Sequence, residues 1–187
     1  TDGGNLREVL NLGPTNAVRG DWLDADRIVF VADDGERDRI GLLTLSTGDI
    51  VWLGGEPDFC PHDVMPGVDG RFAAIIHDQS HSRALIFDGQ HLSALPNLSG
   101  RRSLLPLARL PDGGWLAEAY DADAPHQLVR IHPDDSCTPL ARAAPDPVRT
   151  YARPQDFRWT APDGETCQGW LYLPDDPPRG LIAYVHG

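Results

Sequence analysis

Short apolar runs separated by acidic or glycine-bearing turns fill most of the chain. Ile28-Val29-Phe30-Val31, Phe72-Ala73-Ala74-Ile75-Ile76 and Trp115-Leu116-Ala117-Glu118-Ala119-Tyr120 are rich in β-branched and aromatic residues and each follows an acidic turn. Runs of four to eight such residues bounded by Gly, Pro and Asp predict β-strands. The turns are Asp24-Ala25-Asp26, Val68-Asp69-Gly70 and Pro111-Asp112-Gly113, with their last residues 44 and 43 positions apart. Each unit repeats one plan of four strands. Its third and fourth strands are joined by Thr47-Gly48-Asp49 in the first unit, by Asp88-Gly89 in the second and by Pro133-Asp134-Asp135, a weaker match, in the third.

A repeat of this length with four strands per unit predicts β-propeller blades. Residues 1 to about 147 are therefore expected to be a partial β-propeller of about three and a half four-stranded blades, because propellers have roughly four to eight. Asn5 to Leu12 is expected to be the outer strand of a preceding blade. An open arc leaves apolar blade faces and strand edges uncovered, so further N-terminal blades are expected.

Ala143-Ala144-Pro145-Asp146-Pro147 is a proline-rich hinge that continues neither ladder nor helix, placing a boundary there. Residues 148–187 are then a second, truncated domain. It begins with a hairpin of Gln155 to Trp159 and Thr166 to Leu173 around Ala161-Pro162-Asp163-Gly164-Glu165. Leu181-Ile182-Ala183-Tyr184-Val185 follows, continuously apolar as a strand buried on both faces of a parallel sheet requires.

Composition narrows the class. Hydrophobic residues at 41% suffice for a packed core. All 16 basic residues are Arg, set against 28 acidic ones, so a net charge of −12 argues against nucleic acid and anionic membrane as partners. Cys60, Cys137 and Cys167 have no metal-type spacing and an odd count, which points to a reducing, cytoplasmic setting. No apolar stretch is long enough to span a bilayer, and Thr1-Asp2-Gly3-Gly4 is not a signal-peptide start, although a first residue other than methionine leaves room for a removed leader or upstream domain. Asn97-Leu98-Ser99 matches a glycosylation sequon, which a cytoplasmic setting makes a chance match.

Isolated chemical signals are weak. His77-Asp78-Gln79-Ser80-His81 has the His-x-x-x-His interval of a helical zinc site but lies in a β-type region, so it reads as a connection between strands. Cys60-Pro61-His62-Asp63 sets a thiol near a base, yet strand alternation argues against a preorganised pair and for a buried blade cysteine. Arg101, Arg102 and Arg109 can steer a carboxylate by bidentate hydrogen bonding, or serve as solvated or inter-blade charges. Glu118, within an apolar alternation, is expected to face an aqueous channel. Neither metal nor cofactor is expected.

The C-terminal pattern is more specific. Asp163-Gly164, Gly169-Trp170-Leu171-Tyr172-Leu173-Pro174 and the apolar run ending Val185-His186-Gly187 resemble the domain junction of prolyl oligopeptidase family serine peptidases, most closely the acylaminoacyl and dipeptidyl peptidases. In that family a propeller precedes an α/β-hydrolase domain, whose early turn reads His-Gly-Gly-Pro. The resemblance implies that His186 and Gly187 open the oxyanion turn. It also implies that the nucleophilic Ser, on a Gly-x-Ser-x-Gly elbow, and the Asp and His all follow Gly187. No catalytic residue is then expected within the 187 residues, and the chain alone is expected to be inactive.

The implied function is the substrate-gating propeller portion of a peptidase acting on short peptides. Such an enzyme releases acylated amino acids or dipeptides from N-termini, in association with a C-terminal hydrolase domain, and the sequence leaves a homo-oligomer open. A non-catalytic propeller scaffold is the alternative from another class. An esterase-type α/β-hydrolase is a third reading, weakened because most esterases lack a propeller repeat.

Overall fold

The computed structural model describes residues 4, 7–13, 18–33, 37–54, 59–78, 81–95, 103–121, 124–142 and 154–184. Among them the fold is all β, with fourteen strands in four antiparallel sheets. The first sheet comprises β1 (Arg19–Trp22), β2 (Arg27–Asp33), β3 (Asp38–Thr44) and β4 (Ile50–Leu53). The second comprises β5 (Cys60–Pro66), β6 (Phe72–Asp78), β7 (His81–Phe87) and β8 (Leu92–Ala94). The third comprises β9 (Ser103–Arg109), β10 (Trp115–Asp121), β11 (Ala124–Ile131) and β12 (Cys137–Arg142). Each is a simple meander in chain order, and the three runs used to set the period are the second strands β2, β6 and β10.

The sheets stack face to face. Val29, Val31 and Ile40 of the first sheet pack against Phe72, Ala74, Ile76 and Phe87 of the second. On the opposite face of the second sheet, Ala73, Ala84 and Ile86 meet Leu104, Trp115, Ala117, Val129 and Ile131 of the third. The middle sheet is covered on both sides, which is why Phe72 to Ile76 are all buried and why that strand is continuously apolar. Each fully buried large apolar side chain contributes roughly 1.5–3 kcal/mol, so these two interfaces hold the array together. In the third sheet Leu107, Leu128 and Leu140 remain 39–56% exposed.

A second periodic signal accompanies the turns. Arg27 and Arg71 occupy the residue after the acidic turn in successive units, and each reaches into the next sheet. The Arg27 guanidinium lies over Gly70, where an added Cβ would meet it at 2.7 Å. Arg71 is 3.8 Å from the Asp135 carboxylate. The weak match at Pro133-Asp134-Asp135 also has a physical account. Asp135 adopts the positive φ, 64°, that Gly48 and Gly89 supply in the equivalent hairpins, and its amide donates to the His132 carbonyl at 2.9 Å. Aspartate tolerates this region better than most residues.

Two expected strands are not formed. Within the Asn5 to Leu12 segment, residues 7–12 are irregular: Asn11 bonds locally to Glu8 and to the Gly13 amide, while Leu10 and Leu12 lie on the outer face of the first sheet against Phe30, Ala32 and Leu43. The segment covers a sheet face without extending a ladder. Leu181, Ile182 and Tyr184 are 85–95% exposed and residues 181–184 are not a strand. A buried parallel strand needs neighbours on both edges, and no described strand lies beside this one.

The expected hairpin is present as β13 (Gln155–Thr160) and β14 (Thr166–Leu171), closed by the Ala161–Glu165 turn. Among the described strands these two contact only each other. The hinge at 143–147, and with it the boundary at 147/148, lies outside the described residues.

Candidate functional site

Antiparallel pairing brings the start of β5, the end of β6, the start of β7, the start of β9, the end of β10 and the start of β11 to one end of the stack. Polar side chains gather there in two groups.

The first group lies on the second sheet. Cys60 pairs with His77 and Pro61 with Ile76, but Asp63 rather than His62 pairs with Ile75. His62 is thus the extra residue of a β-bulge, and bulges re-aim side chains. Its ring meets that of His77 with centroids 4.6 Å apart and planes inclined at 41°. Both imidazoles are exposed, and so is Cys60, contrary to the expectation of a buried blade cysteine. The physical reason is position: Cys60 opens its strand, beyond the level at which the neighbouring sheets cover it. Cys60 stands opposite His77 and the His62 ring meets the His77 ring, so Cys60 and His62 flank the same histidine instead of lying apart. Burial, and then the neighbouring His62 charge, lower the pKa of His77 from the ordinary imidazole value. The His77-to-His81 segment does join two strands, with 77 opposite Ser82 and 81 opposite Asp78 in the register.

The second group joins the second and third sheets. Buried Ser103 accepts a hydrogen bond from the backbone amide of buried Ser82 at 3.1 Å, and the Tyr120 hydroxyl donates to Ser82 Oγ at 3.4 Å. His126 Nδ1 is 2.5 Å from Glu118 Oε1, and its ring stacks on Tyr120 with centroids 4.9 Å apart. Glu118, expected at an aqueous channel, is 29% exposed and engaged by His126 across the sheet.

Chemically, Glu118–His126 is a carboxylate-oriented imidazole, two parts of the three that activate a nucleophile. Among the described residues no hydroxyl or thiol is bonded to its Nε2. Ser82 and Ser103 serve the junction between sheets. Replacing Ser103 by alanine removes the acceptor of a buried amide and should cost about 1–3 kcal/mol. A chemical denaturation curve indistinguishable from that of the unaltered protein would show that water replaces the bond.

The remaining sequence candidates are not assembled here. Arg109 is exposed at the end of β9, at the opposite end of the stack, while Arg101, Arg102, His186 and Gly187 lie outside the described residues. Among the described residues no group of three or more His, Cys, Asp or Glu side chains is positioned as a metal cage, and no helix is long and apolar enough to cross a membrane. Sequence reasoning missed the His62–His77 pair and the Glu118–His126 pair because both depend on register irregularities. The only sequence signal was the placement of these residues near strand ends.

Stacked four-stranded antiparallel meanders followed by a separate hairpin define a propeller-type β fold of the kind found in prolyl oligopeptidase family peptidases. The solved structures that share it are specific. A puromycin hydrolase superposes with a TM-score of 0.73 at 18% identity over 95% of this chain and 29% of that one. A puromycin-hydrolyzing peptidase from Mycobacterium tuberculosis gives 0.66 at 19% identity, over 91% of this chain and 28% of that one. A prolyl endopeptidase gives 0.68 at 14% identity, over 86% and 24%. The chain therefore spans less than a third of the length of each of these structures. No protein-family model and no curated protein matches it.

Proposed function

We propose that this chain is the propeller portion, with the lead-in hairpin of the hydrolase domain, of a serine peptidase acting on short peptides. The observation that supports this most is that the likeness to puromycin hydrolase runs over 95% of the chain, taking in both the stacked sheets and part of the segment beyond them. The sequence run from Gly169 to Pro174 and on to His186-Gly187 adds the family's junction pattern. In this reading the polypeptide that follows Gly187 carries the Ser, Asp and His. The stacked sheets limit entry to small or unfolded peptides, and cleavage proceeds through an acyl-enzyme at peptide N-termini.

Two of the neighbours are named for hydrolysing puromycin, which makes that compound a rational substrate to try beside acylaminoacyl and dipeptidyl chromogenic amides. The protein that carries this chain together with its C-terminal continuation should turn over at least one of these. A fluorophosphonate probe should label a Ser beyond Gly187, while the isolated 187-residue chain should give the buffer rate. Absence of labelling and turnover in the longer protein would favour the scaffold reading. Hydrolysis of esters without amides would favour the esterase reading.

A further inference from the structure

We propose that His62 and His77 form a two-imidazole binding site for a borderline divalent transition ion such as Zn2+ or Ni2+. The bulge in β5 is the structural device. In regular pairing His62 would stand opposite Ile75; instead Asp63 takes that place and His62 is released toward His77. Two imidazoles sharing one tetrahedral ion, with metal–nitrogen bonds of about 2.0–2.1 Å, have ring centroids about 5 Å apart. The observed separation of 4.6 Å is close to that value.

Nothing competes for those nitrogens: among the described residues, neither imidazole makes a hydrogen bond, so a ligand need not displace one. Both rings are exposed, giving an ion direct access and leaving its other positions to water. Cys60 is directly across from His77 and exposed, but among the described residues it does not complete a three-ligand cage, so the imidazole nitrogens set the preference for Zn2+ and Ni2+ over Mg2+ and Ca2+. The ring that meets His77 lies fifteen residues earlier, across the strands, outside the His77-to-His81 interval singled out in the sequence.

The test is titration calorimetry of the intact chain with Zn2+ and with Ni2+ in a non-coordinating buffer, repeated for His62→Ala, His77→Ala and His126→Ala. The expected result is one ion bound per chain, with no detectable heat from Mg2+ under the same conditions. Loss of an outer-shell partner alone typically lowers metal affinity by about 10–100-fold, so loss of His62 or His77 should lower it by about tenfold or more. His126→Ala should leave it unchanged. Because both histidines are exposed, far-UV spectra of the variants should match that of the unaltered chain. His62→Gln, which keeps a polar side chain of similar reach, gives a second variant in which binding should also be lost. Affinity retained in both His62→Ala and His77→Ala, or lost equally in His126→Ala, would overturn the site.

Discussion

Phe30→Ala is expected to destabilise the first sheet by about 3–5 kcal/mol. Phe30 is fully buried in the middle of β2, opposite Gly41 on β3, and its ring fills the space a side chain at 41 would need. A Cβ built on Gly41 would stand 2.1 Å from the tip of that ring. Trp52 packs edge-on against it at 5.5 Å. Truncation therefore opens a cavity over a glycine, which has no side chain of its own to fill it. Urea unfolding followed by fluorescence should show a lowered midpoint, with Trp52 reporting the local change. A second measurement isolates the cause: Gly41→Ala should be destabilising in the native background and nearly neutral in Phe30→Ala, since the clash and the cavity occupy the same volume. Additive losses, or a midpoint unchanged by Phe30→Ala, would show that the ring does not occupy the Gly41 space.

The parts of this fold legible in the sequence are those that depend on period and polarity. Acidic turns ending at Asp26, Gly70 and Gly113 mark equivalent points in three sheets, and the continuous apolar run of β6 reflects a strand packed on both faces. The hairpin around Pro162-Asp163-Gly164 was equally legible, because its turn chemistry is local. What eluded the sequence depends on neighbours or on register. Leu181 to Tyr184 has the composition of a buried strand, but composition does not create the flanking strands that such burial requires. Asn5 to Leu12 is apolar enough for a strand, yet the side chain of Asn11 satisfies nearby backbone and its leucines find a sheet face to cover. His62 meets His77 only because one residue of β5 is unpaired, a one-residue offset that no alternation rule reveals. The Glu118–His126 contact similarly sits beside an irregularity between Ala119 and Asp121.

In the longer protein that our functional reading requires, Gly187→Val should reduce turnover by about a hundredfold to a thousandfold while leaving the propeller folded. The motivation is the sequence Leu181 to Val185 running directly into His186-Gly187, the first half of the family's His-Gly-Gly-Pro turn. In that turn the amide after Gly187 is the expected oxyanion donor. A developing negative charge in a water-poor site is stabilised only by donors already in position, so a small rotation of the backbone forfeits most of the benefit. Valine introduces a β-branched side chain that restricts the backbone at the donor's immediate neighbour and crowds the approach that glycine leaves open. Because the loss is confined to the transition state, kcat should fall while KM for the peptide amide changes little. Burst kinetics with a chromogenic ester would sharpen the result, since acylation should slow and the burst disappear. A kcat equal to that of the unaltered enzyme, with an unchanged far-UV spectrum, would mean that His186-Gly187 merely ends an apolar segment and that the oxyanion is held elsewhere.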